Sequence, residues 1–140
     1  MRQIILFFTA FLFFAMPLFA QKKQKQHKIV FQFTNANDTL QQKAFTRQLQ
    51  NITTHWPNAK IEVVAYNQGI EYLMTSKSKH AAAIKELKDK GVKFVVCENT
   101  MKQRNITKEQ LLPEAETVPT GIAELVEKQE QGWSYVKGGF

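Results

Sequence analysis

The sequence contains few of the residues that stabilise small domains covalently or bind metal ions. It has one cysteine, Cys97, and three histidines in 140 residues. A single thiol cannot form an intramolecular disulfide, so packing alone must hold the domain together. There is also no Cys-x-x-Cys pair, which excludes a thioredoxin-type dithiol cycle within one chain.

The glycine and histidine patterns do not support cofactor or metal binding. No Gly-x-Gly-x-x-Gly follows the first predicted strand, and no glycine-rich loop ends in Lys-Ser or Lys-Thr. The sequence therefore lacks the glycine-rich loops whose backbone binds the phosphates of nucleotides. His27, His55 and His80 share no metal-ligand spacing. We therefore expect no metal site and no cofactor. A Cys-His pair would form only if the fold brought His55 or His80 to Cys97.

The first 20 residues have the pattern of a secretory signal peptide. Met1-Arg2-Gln3 is a short basic start, residues 4–15 are almost wholly apolar, and Ala20 precedes the polar Gln21. This order predicts export, with cleavage near Ala20, a periplasmic location and no membrane contact after cleavage. The apolar stretch falls just short of the ~20 residues that span a bilayer, so an uncleaved anchor is the weaker alternative.

The chain is basic, with 19 lysines and arginines against 12 aspartates and glutamates. Part of the excess lies in residues 21–27, a polar segment that we expect to be a disordered basic tail. Such a tail can contact nucleic acid or anionic lipid, but a solvated leader is the simpler interpretation. Export also argues against a nucleic-acid partner. Residues 28–140 remain for one small domain.

Strands and helices are predicted to alternate along this domain. Short β-branched and aromatic runs indicate five strands, and apolar residues at three- and four-residue spacing indicate helices. The predicted strands are residues 28–34, 60–66, 92–96, 117–118 and 133–136, and the predicted helices start at Asp38, Ser78, Asn105 and Thr120. The alternation implies right-handed crossovers and a mostly parallel sheet with helices on both faces. The predicted fold is a three-layer α/β/α domain.

Cap residues and apolar positions give more detailed predictions for the helices. Asp38 is expected to cap the first helix, with Gln41 completing a capping box. Gly91 is expected to follow the second helix, and Pro113 to stop the third. The positions expected to face the core are Leu40, Ala44, Phe45, Leu49, Ile52, Ala82, Ala83, Ile84, Leu87, Ile122, Leu125 and Val126.

The reactive groups collect at one edge of the predicted sheet. In an open α/β sheet, ligands bind outside the carboxyl ends of the strands. Cys97 is the most nucleophilic group at those ends. A thiol at a strand end is expected to be partly exposed, and loop N–H groups, Lys102 or Arg104 would favour its thiolate. An inert thiol is an equally supported alternative, because free cysteine is often a small core residue.

Several segments resemble the DsrE-like (DsrE/DsrF-like sulfur-relay) family. Residues 92–101, VKFVVCENTM, resemble its cysteine segment, and residues 66–73, YNQGIEYL, resemble the glycine loop after its second strand. The segments VPTGIAEL and GWSYVK, residues 118–125 and 132–137, are similar too. The resemblance extends over residues 28–137, nearly the whole chain after the predicted signal peptide.

This resemblance implies a five-stranded α/β/α fold, assembly into trimers or hexamers, and a role for Cys97. In sulfur-relay members, the cysteine at this position accepts sulfur as a persulfide and passes it to a partner protein. Cys97 would then be the acceptor nucleophile, served by a sulfur donor and a sulfur acceptor protein. The residues expected to line its pocket and stabilise the thiolate are Glu98, Asn99, Thr100, Gln68 and Gly69.

Two other functions remain open from the sequence. The chain could be a non-catalytic oligomeric binding module that uses the pocket at the sheet end for a small ligand or a partner protein. It could also be an inert structural subunit, in which Cys97 has no chemical role.

Overall fold

A computed structural model describes residues 26–140 of the chain. The predicted signal peptide, residues 1–20, and residues 21–25 of the predicted basic tail lie outside the described residues. The strands are β1 (Lys28–Phe33), β2 (Lys60–Ala65), β3 (Val92–Cys97), β4 (Ala115–Val118) and β5 (Ser134–Lys137). The α-helices are α1 (Thr39–His55), α2 (Ala81–Asp89), α3 (Glu98–Gln103) and α4 (Gly121–Glu130), with two 3₁₀ helices, Asn67–Leu73 and Lys108–Gln110.

The strands form one sheet in the order β4-β3-β2-β1-β5, and every neighbouring pair is parallel. The mostly parallel five-stranded sheet predicted from the sequence is therefore confirmed. The chain adds β2, β3 and β4 on one side of β1, then returns through α4 and places β5 on the other side. Because the strands are parallel, the segments that follow β1, β2 and β3 meet at one edge.

Side-chain alternation along the central strands divides the core between two faces. On one face, Ile29, Phe31 and Phe33 of β1 pack with buried residues of α1 and α2. Val30 points to the other face, where the buried cluster includes Leu125 of α4. Helices therefore cover both faces, which confirms the three-layer architecture. Among the described helices, α4 alone contributes buried residues to the second cluster.

The start of α1 is determined by Asp38, whose side chain accepts a hydrogen bond from the Leu40 N–H at 2.9 Å. Gln41 does not complete a capping box; its side chain bonds instead to the backbone of Phe140. Leu40 was expected in the core but is 63% exposed. At 3.6 residues per turn, Leu40 lies roughly 140° around the helix from the buried Phe45.

The second helix begins later than predicted, at Ala81 rather than at Ser78. The N–H of Lys79 donates to Oε1 of Gln42 in α1 at 2.9 Å. This long-range bond ties the segment before α2 to α1. Ser78 instead accepts a bond from the His80 N–H at 3.4 Å.

The prediction of a helix over residues 105–112 is wrong. The helix in this region, α3, follows Cys97 directly and ends before Asn105, which has a left-handed φ of 52°. The N–H of Asn105 bonds to the Lys102 carbonyl, and the N–H of Ile106 bonds to the Met101 carbonyl. This is the Schellman pattern that ends a helix. Asn105 is thus a stop signal and not a start signal.

The fourth helix begins after Thr120 as predicted, but the Thr120 side chain makes no capping bond. Its hydroxyl oxygen accepts a bond from the side-chain amide of Asn99 at 3.1 Å. Leu125 is buried against the sheet, whereas Ile122 and Val126 are 60% and 47% exposed. A single helix on this face buries a narrow stripe of its own side chains against the sheet, and its other apolar side chains remain exposed to solvent.

Each helix within residues 26–140 is too short or too polar to cross a membrane.

A buried ionic cluster lies between α4 and the sheet. The Glu62 side chain is 1% exposed, and its Oε2 lies 2.8 Å from Nζ of Lys128 and 3.6 Å from Nζ of Lys93. Lys128 also lies 3.3 Å from Glu124 and places its ammonium 4.7 Å from the ring centroid of Trp133. Burial raises the pKa of Glu62, and the Lys128 ammonium acts in the opposite direction without cancelling the rise.

Candidate functional site

Cys97 is both the last residue of β3 and the residue that precedes α3. The strand enters the helix without a connecting loop, so the first N–H groups of α3 lie at the end of the strand. Cys97 is 6% exposed, less than the partial exposure expected for a thiol at a strand end. The first residue of α4 packs against the cysteine.

That residue, Gly121, lies against three side chains at the carboxyl edge of the sheet. A Cβ atom added to Gly121 would lie 3.2 Å from Cβ of Cys97 and 3.3 Å from atoms of both Tyr66 and Val64. These distances are shorter than ordinary contacts, so glycine lets the N-terminus of α4 approach the thiol. The first turns of α3 and α4 therefore converge on Cys97.

Hydrogen bonds around Sγ of Cys97 determine the direction of its pKa shift. Burial raises the pKa, but the backbone N–H groups of Gly121, Thr100 and Asn99 and the Thr100 hydroxyl together outweigh burial and lower it. A donor bonds more strongly to a charged acceptor, so these groups stabilise the thiolate more than the neutral thiol. The site therefore favours the nucleophilic form of Cys97.

The Thr100 hydroxyl is oriented by a second hydrogen bond. Its oxygen accepts a bond from the backbone N–H of Asn67 at 3.2 Å. The bond from Asn67 occupies one lone pair of the oxygen and leaves the hydroxyl hydrogen free to donate elsewhere, which fits the contribution of this hydroxyl to the lowered pKa of Cys97. The loop after β2 thus influences the thiol through one side chain of α3.

Asn67 has a left-handed backbone conformation, with a φ of 51°, which is uncommon for a residue other than glycine. Its carbonyl oxygen accepts a bond from Nη1 of Arg104 at 2.9 Å, and Nη2 of Arg104 lies 2.6 Å from Oε1 of Glu71.

Arg104 and Lys102 were expected to favour the thiolate by charge. The leading causes of the Cys97 pKa shift are instead burial and hydrogen bonds.

The predicted pocket residues of α3 have different roles in the structure. Asn99 and Thr100 donate backbone N–H groups to the thiol. The side-chain amide of Asn99 bonds to Thr120 and ties the start of α3 to the start of α4. The Glu98 carboxylate accepts a bond from the Thr117 hydroxyl at 2.8 Å. Glu98 therefore stands beside the thiol in sequence, while its side chain bonds to β4.

The other two predicted pocket residues, Gln68 and Gly69, lie in the 3₁₀ helix after β2. Gly69 packs against the end of β1, where an added Cβ would overlap the carbonyl oxygen of Phe33. Gln68 is exposed. The described bond that links this glycine loop to the thiol site comes from the neighbouring Asn67.

A row of polar side chains lies beside the thiol on the α4 face of the sheet. The Gln32 side chain donates to the Tyr66 hydroxyl and accepts a bond from the Tyr135 hydroxyl. Tyr66 also packs against Gly121, so the row extends from the start of α4 across β1 to β5. The sequence pattern did not indicate this row, because it depends on the pairing of β5 beside β1.

The histidines His27 and His55 lie at the opposite end of the sheet from Cys97. Both flank Trp56, with ring centroids 3.9 Å and 5.2 Å from it, and both line a cavity of about 640 Å³ beside the start of β1. His80, which precedes α2, is not among the groups that shift the Cys97 pKa. Residues 26–140 contain no cluster of three or more His, Cys, Asp or Glu that could hold a metal ion.

A cavity of about 540 Å³ lies beside α3. Glu98, Met101 and Thr117 line it together with residues of the turn after α3, and Cys97 is not among its lining residues. A ligand in this cavity would therefore contact the Glu98 side of the strand end.

Of the residues that sequence reasoning missed, only Gly121 carries a usable signal. A glycine at the first position of a helix can mark a close approach of the backbone to another element. Asn67 carries no such signal, and Arg104 was expected to act by its charge and not through a bond to Asn67. Their bonding partners lie 33 and 37 residues away in the chain, so only the fold identifies them.

Comparison with known proteins agrees with this fold. Protein MTH1491 of unknown function from Methanobacterium thermoautotrophicum is 27% identical, with a TM-score of 0.75 and coverage of 80% of this chain and 99% of that chain. The ychN protein from E. coli is 12% identical, with a TM-score of 0.65 and coverage of 81% and 99%. BT1422, a conserved protein of unknown function from Bacteroides thetaiotaomicron, is also 12% identical, with a TM-score of 0.63 and coverage of 79% and 93%. The last two similarities concern the fold alone.

No curated protein matches the chain. The model of the DsrE/DsrF-like family matches residues 27–137. That match spans nearly all of the described residues and includes Cys97, so the chain belongs to the DsrE/DsrF-like family.

Proposed function

We propose that this chain is an exported sulfur carrier that holds sulfur as a persulfide on Cys97. The observation that carries the proposal is the convergence of the first turns of α3 and α4 on Cys97. The N–H groups of these turns lower the pKa of the thiol despite burial. Membership of the DsrE/DsrF-like family supports a role of the sulfur-relay type. The signal-peptide pattern of residues 1–20 supports export.

Loading of Cys97 is a thiol exchange without net oxidation or reduction. The Cys97 thiolate attacks the outer sulfur of a donor persulfide, R–S–SH. A new S–S bond forms at Cys97, the S–S bond of the donor breaks, and the donor leaves as the thiolate R–S⁻. The outer sulfur keeps its proton, so the step needs no cofactor. The N–H groups of Gly121, Asn99 and Thr100 hold Cys97 in the attacking form.

Delivery of the sulfur uses the same groups in reverse. The thiolate of an acceptor protein attacks the outer sulfur, and Cys97 leaves as a thiolate. A thiol with a lowered pKa is a better leaving group, so the donors that promote loading also promote delivery. The proposed partners are accordingly one sulfur donor protein and one sulfur acceptor protein.

Mass spectrometry of the intact protein tests the carrier function. Incubation with a small-molecule persulfide is expected to add one sulfur atom, and a reductant is expected to remove it. The Cys97→Ser variant lacks the only thiol of the chain and is expected to gain none. Equal gain of sulfur by that variant would contradict the proposal.

A non-catalytic binding module is the second candidate function. The 6% exposure of Cys97 and the cavity of about 540 Å³ beside Glu98 favour it. This function predicts slow alkylation of Cys97 near neutral pH and no retained sulfur. The alkylation rate as a function of pH separates the two candidates, because only a carrier requires a thiol with a lowered pKa.

The carrier is proposed to act in the periplasm as a homo-oligomer, a trimer or a hexamer. The exposed apolar side chains Ile122 and Val126 on α4 support self-association. Fractionation of cells that express the full chain tests the location. A protein shortened by about 20 residues is expected in the periplasmic fraction, and retention of the full-length protein in the membrane would indicate an anchor instead.

A further inference from the structure

Arg104, the residue after α3, bonds to two residues of the segment that follows β2, Asn67 and Glu71. Nη1 lies 2.9 Å from the Asn67 carbonyl oxygen, and Nη2 lies 2.6 Å from Oε1 of Glu71. The Glu71 side chain is 14% exposed and that of Arg104 34% exposed, so the ion pair is partly shielded from water. A planar guanidinium that bonds in two directions holds both partners in a defined geometry.

The residue between these contacts and the thiol is Asn67. Both of its backbone polar groups are engaged by the α3 segment, since its carbonyl accepts from Arg104 and its N–H donates to Thr100. The left-handed conformation of Asn67, with a φ of 51°, costs energy that surrounding bonds must offset. Arg104 supplies one of these bonds at the carbonyl, and Thr100 supplies another at the N–H.

We propose that Arg104 and Glu71 are positioning residues for Cys97. They hold Asn67 in the conformation in which its N–H bonds to the oxygen of the Thr100 hydroxyl, and so keep that hydroxyl in place beside Cys97. Neither residue touches the thiol; both act through Asn67 and Thr100. The inference rests on the proposed role of Cys97 as a nucleophile.

The charged residues near Cys97 allow a positioning role of Arg104 to be distinguished from an effect of its charge. Arg104 is paired with Glu71, and the Glu98 carboxylate bonds to Thr117. Lys102 is an exposed cation of α3. If Arg104 acted through its charge, Lys102 would act in the same way and a lysine at position 104 would substitute for the arginine. A two-point clamp requires the guanidinium.

The test is the rate of Cys97 alkylation by iodoacetamide, measured from acidic to alkaline pH. Arg104→Lys and Arg104→Met are both expected to slow alkylation about threefold on the acidic side of the thiol titration, because one donor to the thiolate is weakened. On the alkaline plateau both should match or slightly exceed the wild type, because a thiolate of higher pKa is the stronger nucleophile. A change in access to the thiol would lower the rate at every pH. Lys102→Met is the matched control and should keep the wild-type profile.

A double variant tests whether Arg104 acts through Thr100. Thr100→Val removes the hydroxyl, and in that background Arg104→Met is expected to cause no further slowing. Glu71→Gln weakens the clamp from its other end and should shift the profile in the same direction as Arg104→Met. Circular dichroism confirms that each variant is folded before its thiol is measured.

The outcomes also distinguish this inference from the proposed function. A wild-type profile typical of an unperturbed cysteine would overturn both. A wild-type thiol that ionises readily, together with an unchanged Arg104→Met profile, would overturn the positioning role alone. The same holds if Arg104→Lys retains the wild-type profile, or if Arg104→Met slows alkylation equally with and without the Thr100 hydroxyl.

Discussion

At the scale of single residues, Gly69 shows how closely the loop after β2 approaches the end of β1. The site of an added Cβ overlaps the backbone of Phe33, and backbone cannot move aside as a flexible side chain can. The glycine is therefore required for space and not for a left-handed conformation. The same loop carries Asn67, which bonds to Thr100 beside the thiol, so crowding at Gly69 would also disturb the site.

Substitution of Gly69 by alanine is expected to destabilise the protein by about 2 kcal/mol or more, because the new methyl group forces the loop away from β1. Urea unfolding measures the loss. Gln68→Ala, at the exposed neighbouring position, is the matched control and should change stability by less than about 0.5 kcal/mol. Equal stability of the two variants would show that the loop and β1 are not in close contact.

At the scale of elements, α4 contacts both the thiol site and the buried carboxylate of Glu62. Its first residue, Gly121, lies against Cys97, and Lys128, near its other end, lies 2.8 Å from the buried carboxylate of Glu62. A buried ion pair is not by itself strongly stabilising, but removal of its nearer partner is costly. Without Lys128 the Glu62 carboxylate keeps the longer contact with Lys93, at 3.6 Å. The position of α4 over the sheet therefore depends on Lys128 being present.

Replacement of Lys128 by methionine is expected to destabilise the protein by about 3 kcal/mol at neutral pH. Lys128 opposes the rise in the Glu62 pKa, so its removal raises that pKa further. The folded variant then binds a proton that the unfolded chain has released, and its stability falls as pH rises through the unfolded-state pKa of Glu62 toward the higher folded-state value. The loss relative to the wild type should shrink at acidic pH.

Urea unfolding at acidic and neutral pH measures this dependence. Lys85→Met is the control, because Lys85 pairs with Asp89 on the surface with both side chains 66% exposed. Such a pair contributes little to stability. A Lys128→Met loss that is the same at both pH values would show that Glu62 does not govern the effect.

At the scale of the whole molecule, the two faces of the sheet are covered unequally. α1 and α2 cover one face, whereas α4 covers the other with a single buried leucine, Leu125. Ile122 and Val126 of α4 and Tyr135 of β5 are among the large exposed hydrophobic side chains. A second copy of the chain would bury these residues, which is the basis for the proposed homo-oligomer.

Light scattering after size-exclusion chromatography tests this assembly. The wild type is expected to elute as a trimer or hexamer, and Val126→Glu as a monomer, because a charge on α4 would be buried without a partner. Leu40→Glu is the matched control, since Leu40 is 63% exposed on a different helix, α1, and it should leave the assembly intact. A monomeric wild type would contradict the proposed oligomer.

Much of the architecture could be predicted because it depends on local patterns. Alternation in β1 and the cap at Asp38 are readable within a few residues, and strand–helix alternation implies a parallel sheet. Predictions failed where a local signal has two meanings. Asparagine is common both at the start and at the end of helices, and Asn105, with its left-handed φ, follows the end of α3. Leu40 matched the apolar spacing, but it is exposed because α1 packs a different side against the sheet.

The parallel α/β fold and the location of Cys97 at a strand end are readable from the sequence, because both follow from short-range periodicity and the rules of chain connection. The surroundings of the thiol depend instead on tertiary packing. Gly121 approaches the thiol from α4, and Arg104 bonds to the distant Asn67, whose N–H bonds to Thr100. These contacts join residues that are remote in the chain. Their geometry depends on how the elements pack and is not encoded in any single segment.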